Sequence, residues 1–571
     1  MGWIDRGKTE RLVLTLLFVL TALVFRLPQL TSGQVALDGD EAIVALMAGD
    51  ALDGHGVPIF FYGQHYGLAL LEAIPVAGAF HVFGNDPIVV KGTMLALWIL
   101  GGCFTVHAAV RLGGPTAGAF VGLVLASMPA WVPWSMKARG GYCTAFWASQ
   151  IALWVLAGFI ERRFRIIQPA SLAGAGGVGG VEGARGRDFA GGGEGAGRWP
   201  GASASGLGDG PSFLDPPLGG AAPKPGLRAP LEGLLLGVML AVTAFAQPLF
   251  LLPLLPYFIY LRPWPAWIGL FAGAGAVAAP LVMRLGTNDA VWAPRILGFL
   301  DPDTILVLPF RVTTALSGYY YYLYSGEPPD LVVWGGRVLA AAGFLAVVYA
   351  LASRVRDDVT DGLWASAVGT LTFLLATLWI RPDQFAFRYF LPMAAPIAML
   401  LGLAAGRWAS GRFGRVLVFV TSAVLFGFAA ASAWAGRDLS LAVEPGTERG
   451  SETEATRALV EHLRERGIGN AYVLDPMYQW NLILASDREI RARWQDPVDR
   501  VPDISRAVDA AFAAGEPTAI VGDARFAERL REALDKSGWT ELRMDVIENR
   551  HFVLESPPRT LLDALDFRFE E

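Results

Sequence analysis

Several short stretches of this sequence combine residue types that can move a proton or hold a phosphate. Asp38-Gly39-Asp40-Glu41 sets three carboxylates in four positions directly after the first apolar run. Acids at a membrane edge cost free energy that folding alone does not demand, so they are functional suspects. Asp38 or Asp40 can cap the helix that starts here, which explains one acid but not three. A carboxylate within hydrogen-bond reach of a hydroxyl can serve as a general base, and this stretch offers three.

Tyr62, Gln64, His65 and Tyr66 follow in a glycine-containing loop. Tyrosines suit the headgroup level, and His65 is the member placed to face a ligand. Glu72 stands inside an apolar stretch, where it needs either a cation or a place in the site. Lys137 and Arg139 lie in the turn Trp134–Tyr142, which also holds Gly140 and Gly141. Snorkelling accounts for a single basic residue; two in one tight turn read as a phosphate site. Arg388-Tyr389 opens another apolar run, and Tyr319 to Tyr322 form an aromatic row suited to interfacial packing or a sugar ring.

The rest of the chain must carry these groups to one place. Of the 571 residues 53% are hydrophobic and 17% charged, and the mean hydropathy is +0.42. Soluble proteins carry about 25% charged residues, so the composition predicts a polytopic α-helical membrane protein. The net charge of −6 leaves no basic nucleic-acid footprint. Cys103 and Cys143 sit in apolar surroundings and make neither a disulfide framework nor a metal site. The run 12–30 is too long for a signal-peptide core and no small-residue cleavage site follows, so it reads as a retained helix.

Runs of about 20 apolar residues, the length of a bilayer crossing, fall near 12–30, 88–110, 115–134, 142–161, 231–247, 248–261, 265–285, 331–352, 361–380, 388–406 and 414–434. Residues 66–84 are apolar but short and contain Glu72, Pro75 and His81; they read as a surface helix. That choice keeps Arg6, Arg111, Arg162, Arg262, Arg354, Arg407 and their basic neighbours on one side, as the positive-inside rule requires. The expectation is about eleven spans, with the N-terminus cytoplasmic. The acidic loop, the Lys137–Tyr142 turn, Arg388 and the C-terminal region then share the outer face.

Four regions result: 1–165, the first membrane helices; 166–230, a Gly/Ala/Pro-rich linker of the kind that cannot bury a core; 231–437, the later membrane helices; and 438–571, a small extracytoplasmic α/β domain. The linker contains Gly174-Ala175-Gly176-Gly177-Val178-Gly179. No strand precedes it and no helix follows, so a dinucleotide reading fails on context. In the last region Ala455–Arg466, Ile504–Ala514 and Ala524–Lys536 read as helices. Ala471–Leu474 and Thr518–Val521 read as strands, and Leu542–Ile547 with His551–Leu554 as a hairpin. His462 and His551 read there as packing or surface residues.

With these residues in view, the chain resembles the GT-C superfamily of membrane glycosyltransferases. It is similar in particular to bacterial dolichyl-phosphate-mannose protein mannosyltransferase-like proteins and to lipid A aminoarabinose and galacturonic acid transferases. The resemblance rests on Arg26, Asp40-Glu41, the segment Gly67 to Gly84, Arg139-Gly140-Gly141-Tyr142 and Arg388 to Pro392, and covers residues 10–435. It implies an inverting transferase that uses a polyprenyl-phosphate sugar, integral to the inner membrane, with a lipid, glycan or protein acceptor and no nucleic acid. By position Asp40 would be the base or the acid that orients the acceptor, Glu41 its support, and Arg139 and Arg388 the phosphate contacts. Asp38, His65, Tyr66, Glu72, Lys137, Tyr142 and Tyr389 would line the substrate. A divalent metal, if one is used, would sit at Asp40 and Glu41. Family members carry Lys or His beside prolines where this chain has Gln64-His65-Tyr66-Gly67.

Two other classes fit the composition. A transporter or flippase of a lipid-linked sugar would place polar groups at mid-membrane on repeated, broken helices, whereas here they gather at one face. A non-catalytic scaffold would leave the acidic loop free to vary.

Overall fold

A basic start followed by an unbroken apolar run makes α1 (Arg6–Leu30), and the acids at 38–41 start α2 (Gly39–Leu52). The computed structural model describes residues 6–31, 35–64, 67–129, 131–175, 227–285, 302–317, 330–353, 358–379, 387–409, 411–435, 452–476, 478–496 and 501–569. His65, Tyr66, most of the Gly-rich linker, the row Tyr319 to Tyr322 and residues 381–386 lie outside them.

Next comes α3 (Leu70–Phe83), 14 residues long. At 1.5 Å per residue it extends about 21 Å, too short to cross a bilayer. Asp86 then caps α4 (Pro87–Ser127) by accepting from the Ile88 amide. This helix is two arms joined at Gly114, which takes φ +76°. Glycine reaches that conformation without a Cβ clash, and Pro115 cannot continue the hydrogen-bond ladder. The arms fold back on each other, with Gly118 against Val110 and Gly122 against Val106. The expected runs 88–110 and 115–134 are therefore one hairpin.

A short turn, α5 (Trp131–Trp134), leads to α6 (Tyr142–Ala175), which continues past the expected boundary at 165. α7 (Arg228–Ala246) and α8 (Trp264–Leu285) pack backbone to backbone: Gly233 meets Ala266, Gly237 meets Leu270 and Gly273 meets Leu234. Small residues at such spacing let membrane helices approach closely. Between them Pro248–Tyr260 winds as a 3₁₀ helix of 13 residues, with prolines at 248, 253 and 256. At 2.0 Å per residue it reaches about 26 Å. The later elements are α9 (Pro302–Ser317), α10 (Asp330–Ala352), α11 (Asp358–Thr377), α12 (Ala394–Trp408) and α13 (Arg412–Ala435). Among the described residues eight helices are long and apolar enough to cross a membrane, counting the α4 hairpin once.

The soluble part is a five-stranded sheet ordered β2-β1-β3-β5-β4, where β1 is Asn470–Val473, β2 Arg491–Arg493, β3 Thr518–Asp523, β4 Met544–Ile547 and β5 His551–Glu555. The first three run parallel and the last two form an antiparallel hairpin. Its turn puts Glu548 and Asn549 at φ 50° and 53°, the double positive φ of a type I′ turn. α14 (Glu452–Glu465), α15 (Tyr478–Ala485), α16 (Pro502–Ala513), α17 (Ala527–Lys536) and α18 (Arg559–Ala564) surround it. Sequence reasoning missed β2, α15 and α18, which are too short to show a period.

Candidate active site

Asp38 is the N-cap of α2. It accepts from the Glu41 amide at 3.1 Å, and Glu41 Oε2 accepts from the Asp38 amide at 3.0 Å. This reciprocal capping box satisfies orphan N–H groups and leaves Asp38 Oδ2 turned toward the Trp134–Tyr142 turn. Lys137 Nζ donates to it at 2.7 Å and Arg139 Nη2 at 2.5 Å. Arg139 Nη1 reaches across to Asp40 Oδ2 at 2.7 Å. One guanidinium thus bridges two carboxylates, the arrangement a planar fork permits and an ammonium does not. Burial alone raises the Asp38 carboxyl, but the charges of Arg139, Lys137 and Lys91 overcome this and hold it far below the usual carboxylate range.

Arg388 completes the cluster. It lies within electrostatic reach of Asp40 and Arg139, and it shares the Tyr142 hydroxyl with Gln247. Its guanidinium is 5.7 Å from the Tyr389 ring, and that of Arg139 is 5.6 Å from the Trp134 ring. Residues from three distant parts of the chain therefore meet in one place. Asp38, Asp40 and Arg139 keep side-chain exposures of 10%, 16% and 13%, so the cluster is sheltered yet open.

Glu41 and Glu72 are placed differently. Glu41 and Lys91 are fully buried, with Nζ at 2.5 and 2.6 Å from the two oxygens. The Glu41 carboxylate serves Lys91 and the α2 cap. Glu72 is also fully buried. Its Oε1 accepts from the Gly141 amide at 2.9 Å and the Thr144 amide at 3.4 Å. It fastens α3 to the start of α6.

That start is crowded. A Cβ on Gly67 would fall 2.1 Å from the Gly140 carbonyl oxygen, and one on Gly141 2.8 Å from that of Ala246. Gly67 N donates to Phe245 O at 3.0 Å. The glycines let three strands of backbone touch, which brings Gln247 beside Tyr142. Arg26 is fully buried behind this turn. It donates to Ser135 Oγ at 2.6 Å and to the carbonyls of Ala126 and Trp131, and lies 4.1 Å from the Trp98 ring. Its place is to hold the turn from beneath.

Sequence reasoning missed Lys91, Gln247 and Arg488. Lys91 had a signal, a lysine one turn into an apolar helix. Arg488 Nη1 pairs with Asp50 Oδ1 at 2.6 Å and Nη2 donates to Leu46 O at 2.8 Å, while Tyr62 donates to Asp50 Oδ2. Nothing in its own stretch marked it. Among the described residues one group could hold a metal ion: His462, Asp545 and Glu555 in the soluble domain, where Arg466 and Arg543 already pair with the acids.

No protein-family model and no curated protein matches the chain. Solved structures do. The chain is similar to ArnT from Cupriavidus metallidurans bound to undecaprenyl phosphate, at 15% identity and a TM-score of 0.53 over 95% of this chain and 98% of that one. It is similar to the apo state of the same protein at 14% identity and a TM-score of 0.52, over 95% and 97%. An oligosaccharyltransferase from Archaeoglobus fulgidus has a TM-score of 0.48 at 11% identity, over 90% of this chain and 68% of that one. The likeness to ArnT runs the length of both chains, and the two share a fold.

Proposed function

We propose that the chain is an inverting glycosyltransferase that moves a sugar from a polyprenyl-phosphate donor to an acceptor at the outer face of the membrane. One observation carries the reading. Lys137, Arg139 and Arg388 face Asp38 and Asp40, so three cations stand against two carboxylates. The spare positive charge, sheltered at a membrane face, suits a lipid phosphate.

In this reading Arg139 and Arg388 take the donor phosphate, and Lys137 holds Asp38 in place. The phosphate competes with Asp40 for Arg139, which frees the Asp40 carboxylate. Asp40 then accepts the proton of the acceptor hydroxyl as the acceptor oxygen bonds to the anomeric carbon. The bond from that carbon to the phosphate breaks and its electron pair leaves with the polyprenyl phosphate. Arginines aimed at that departing charge stabilise it most where water is excluded. A single displacement inverts the anomeric centre. Tyr142 and Tyr389 flank the phosphate, and Glu41 and Glu72 position the groups that react. His65 and Tyr66, outside the described residues, are assigned to the substrate by their place in the sequence. No step is routed through a metal at Asp40 and Glu41, because Glu41 is committed to Lys91.

The fold likeness to a protein solved with undecaprenyl phosphate supports the choice of lipid. The test is Asp40→Asn in the purified full chain, assayed for product from polyprenyl-phosphate sugars. Loss of the general base should lower transfer by about 10²–10⁴-fold with the thermal midpoint unchanged. Wild-type transfer by Asp40→Asn would overturn the assignment.

A further inference from the structure

Arg26 lies in the last turns of α1 and is fully buried. Its guanidinium donates to Ala22 O at 3.1 Å, Ala126 O at 2.8 Å, Trp131 O at 3.2 Å and Ser135 Oγ at 2.6 Å, and it stands over the Trp98 ring. Every one of these partners is neutral. Among the described residues no carboxylate pairs with it. By contrast, the buried Lys91 and Lys137 have carboxylates of their own, Glu41 and Asp38. Taking a cation out of water costs more than neutral contacts return unless an opposite charge answers it. The C-terminal end of α4 helps, since Ala126 lies in its last turn, but a helix dipole supplies only about half a charge. A buried charge with no counter-charge in a membrane helix marks function rather than stability.

The position of Arg26 says which charge it serves. Trp131 and Ser135 lead into the turn that carries Lys137 and Arg139. Ser135 stands two positions before Lys137, so their Cα atoms are at most about 7 Å apart. Lys137, Arg139 and Arg388 outnumber Asp38 and Asp40 by one charge, and Arg26 raises the excess to two. A phosphodiester, the form of the sugar donor, carries one negative charge. A phosphomonoester, the form of the departing lipid, carries about 1.5 to 2. The second charge appears as the bond to the anomeric carbon breaks and its electron pair stays on the phosphate oxygen. A fixed cation that no carboxylate screens is matched to that developing charge.

We propose that Arg26 is a specificity-determining residue that acts through its charge rather than by contact: unneutralised behind the turn, it selects the phosphate of the departing polyprenyl phosphate. The proposal rests on the transferase reading of the cluster beside it. The experiment measures binding of undecaprenyl phosphate, and of its neutral counterpart undecaprenol, to the full chain in lipid nanodiscs. Wild type, Arg26→Gln, Arg26→Lys and Ser135→Ala are compared. The wild type is expected to prefer the phosphate. A charge roughly 10 Å away, through an interior of effective dielectric about 20, is worth on the order of tenfold in affinity. Arg26→Gln should therefore cut the preference about tenfold and leave undecaprenol binding unchanged. Arg26→Lys keeps the charge, and Ser135→Ala removes only the hydrogen bond to the turn; both should keep the preference. Equal losses in Arg26→Gln and Ser135→Ala, loss of the preference in Arg26→Lys, or a full preference in Arg26→Gln would overturn the inference and leave the transferase reading standing. A wild type with no preference for the phosphate would overturn that reading and this inference with it.

Discussion

Glu41 and Lys91 form an ion pair with no exposure on either side. Taking two charges out of water costs several kcal/mol each, and their mutual attraction and the α2 cap offset it. Removing one partner leaves a buried charge alone. Lys91→Met should therefore destabilise the chain by about 3–5 kcal/mol, read as a lower midpoint in chemical unfolding, and adding Glu41→Gln should restore part of the loss. At this scale the charged groups of the cluster were legible from sequence: Asp38, Asp40, Lys137 and Arg139 pair, with Arg388 in electrostatic reach of Asp40 and Arg139. Glu41 looked the same as Asp40 on paper. What separates them is the helix period, which turns Glu41 toward Lys91 inside and leaves Asp40 at the mouth. Lys91 carried a signal of its own, a lysine directly after the apolar run Pro87-Ile88-Val89-Val90, but its partner Glu41 lies 50 positions away and leaves no local pattern.

Between elements the contacts that matter are few. Burial pushes the Glu72 carboxyl up from 4.5 to about 7, although the amides of Thr144 and Gly141 pull it back. The native state thus holds this proton more tightly than the unfolded chain. Its contribution is complete below about 4.5 and is lost as pH rises through about 7, for a total of about 3 kcal/mol. Thermal midpoints measured from pH 5 to 8 should fall for the wild type, and Glu72→Gln should flatten that fall. Gly67→Ala should misplace the turn at Gly140, because no room exists for a methyl there; a large loss of transfer with α1 to α4 intact is the expected outcome. α2 is gripped at both ends by the soluble domain: Thr453 donates to Val35 O at 3.1 Å before its N-cap, and Arg488 binds Asp50 and Leu46 O in its last turns. A cation there also suits the helix dipole. Arg488→Ala should lower the transfer rate with little effect on undecaprenyl phosphate binding, since Arg139 and Arg388 do not touch it. The α2 start was readable from its acids. Its clamp was not, because a salt bridge between residues far apart in sequence leaves no local pattern.

For the whole molecule, ion pairs tie neighbouring helices together away from the acidic cluster as well. Arg162 pairs with Glu232, Arg163 with Asp361 and Arg111 with Glu161 at the ends of the helices opposite the acidic cluster. The membrane class and the small α/β domain followed from composition and from a change of composition near 440. The two arms of α4 were legible as the apolar runs 88–110 and 115–134, and the positive φ of Gly114 turns one back on the other. How the soluble domain sits was beyond sequence reasoning, since its docking uses α15, which is eight residues long, and scattered polar contacts. The central claim is that Arg139 and Arg388 form a lipid-phosphate site beside Asp40. The most direct test is the affinity of the purified chain for undecaprenyl phosphate, compared with that of Arg388→Ala. A charge-assisted contact is worth about 1.5–3 kcal/mol, so the variant should bind about 10–100-fold more weakly. Equal affinity in the two proteins would contradict the account.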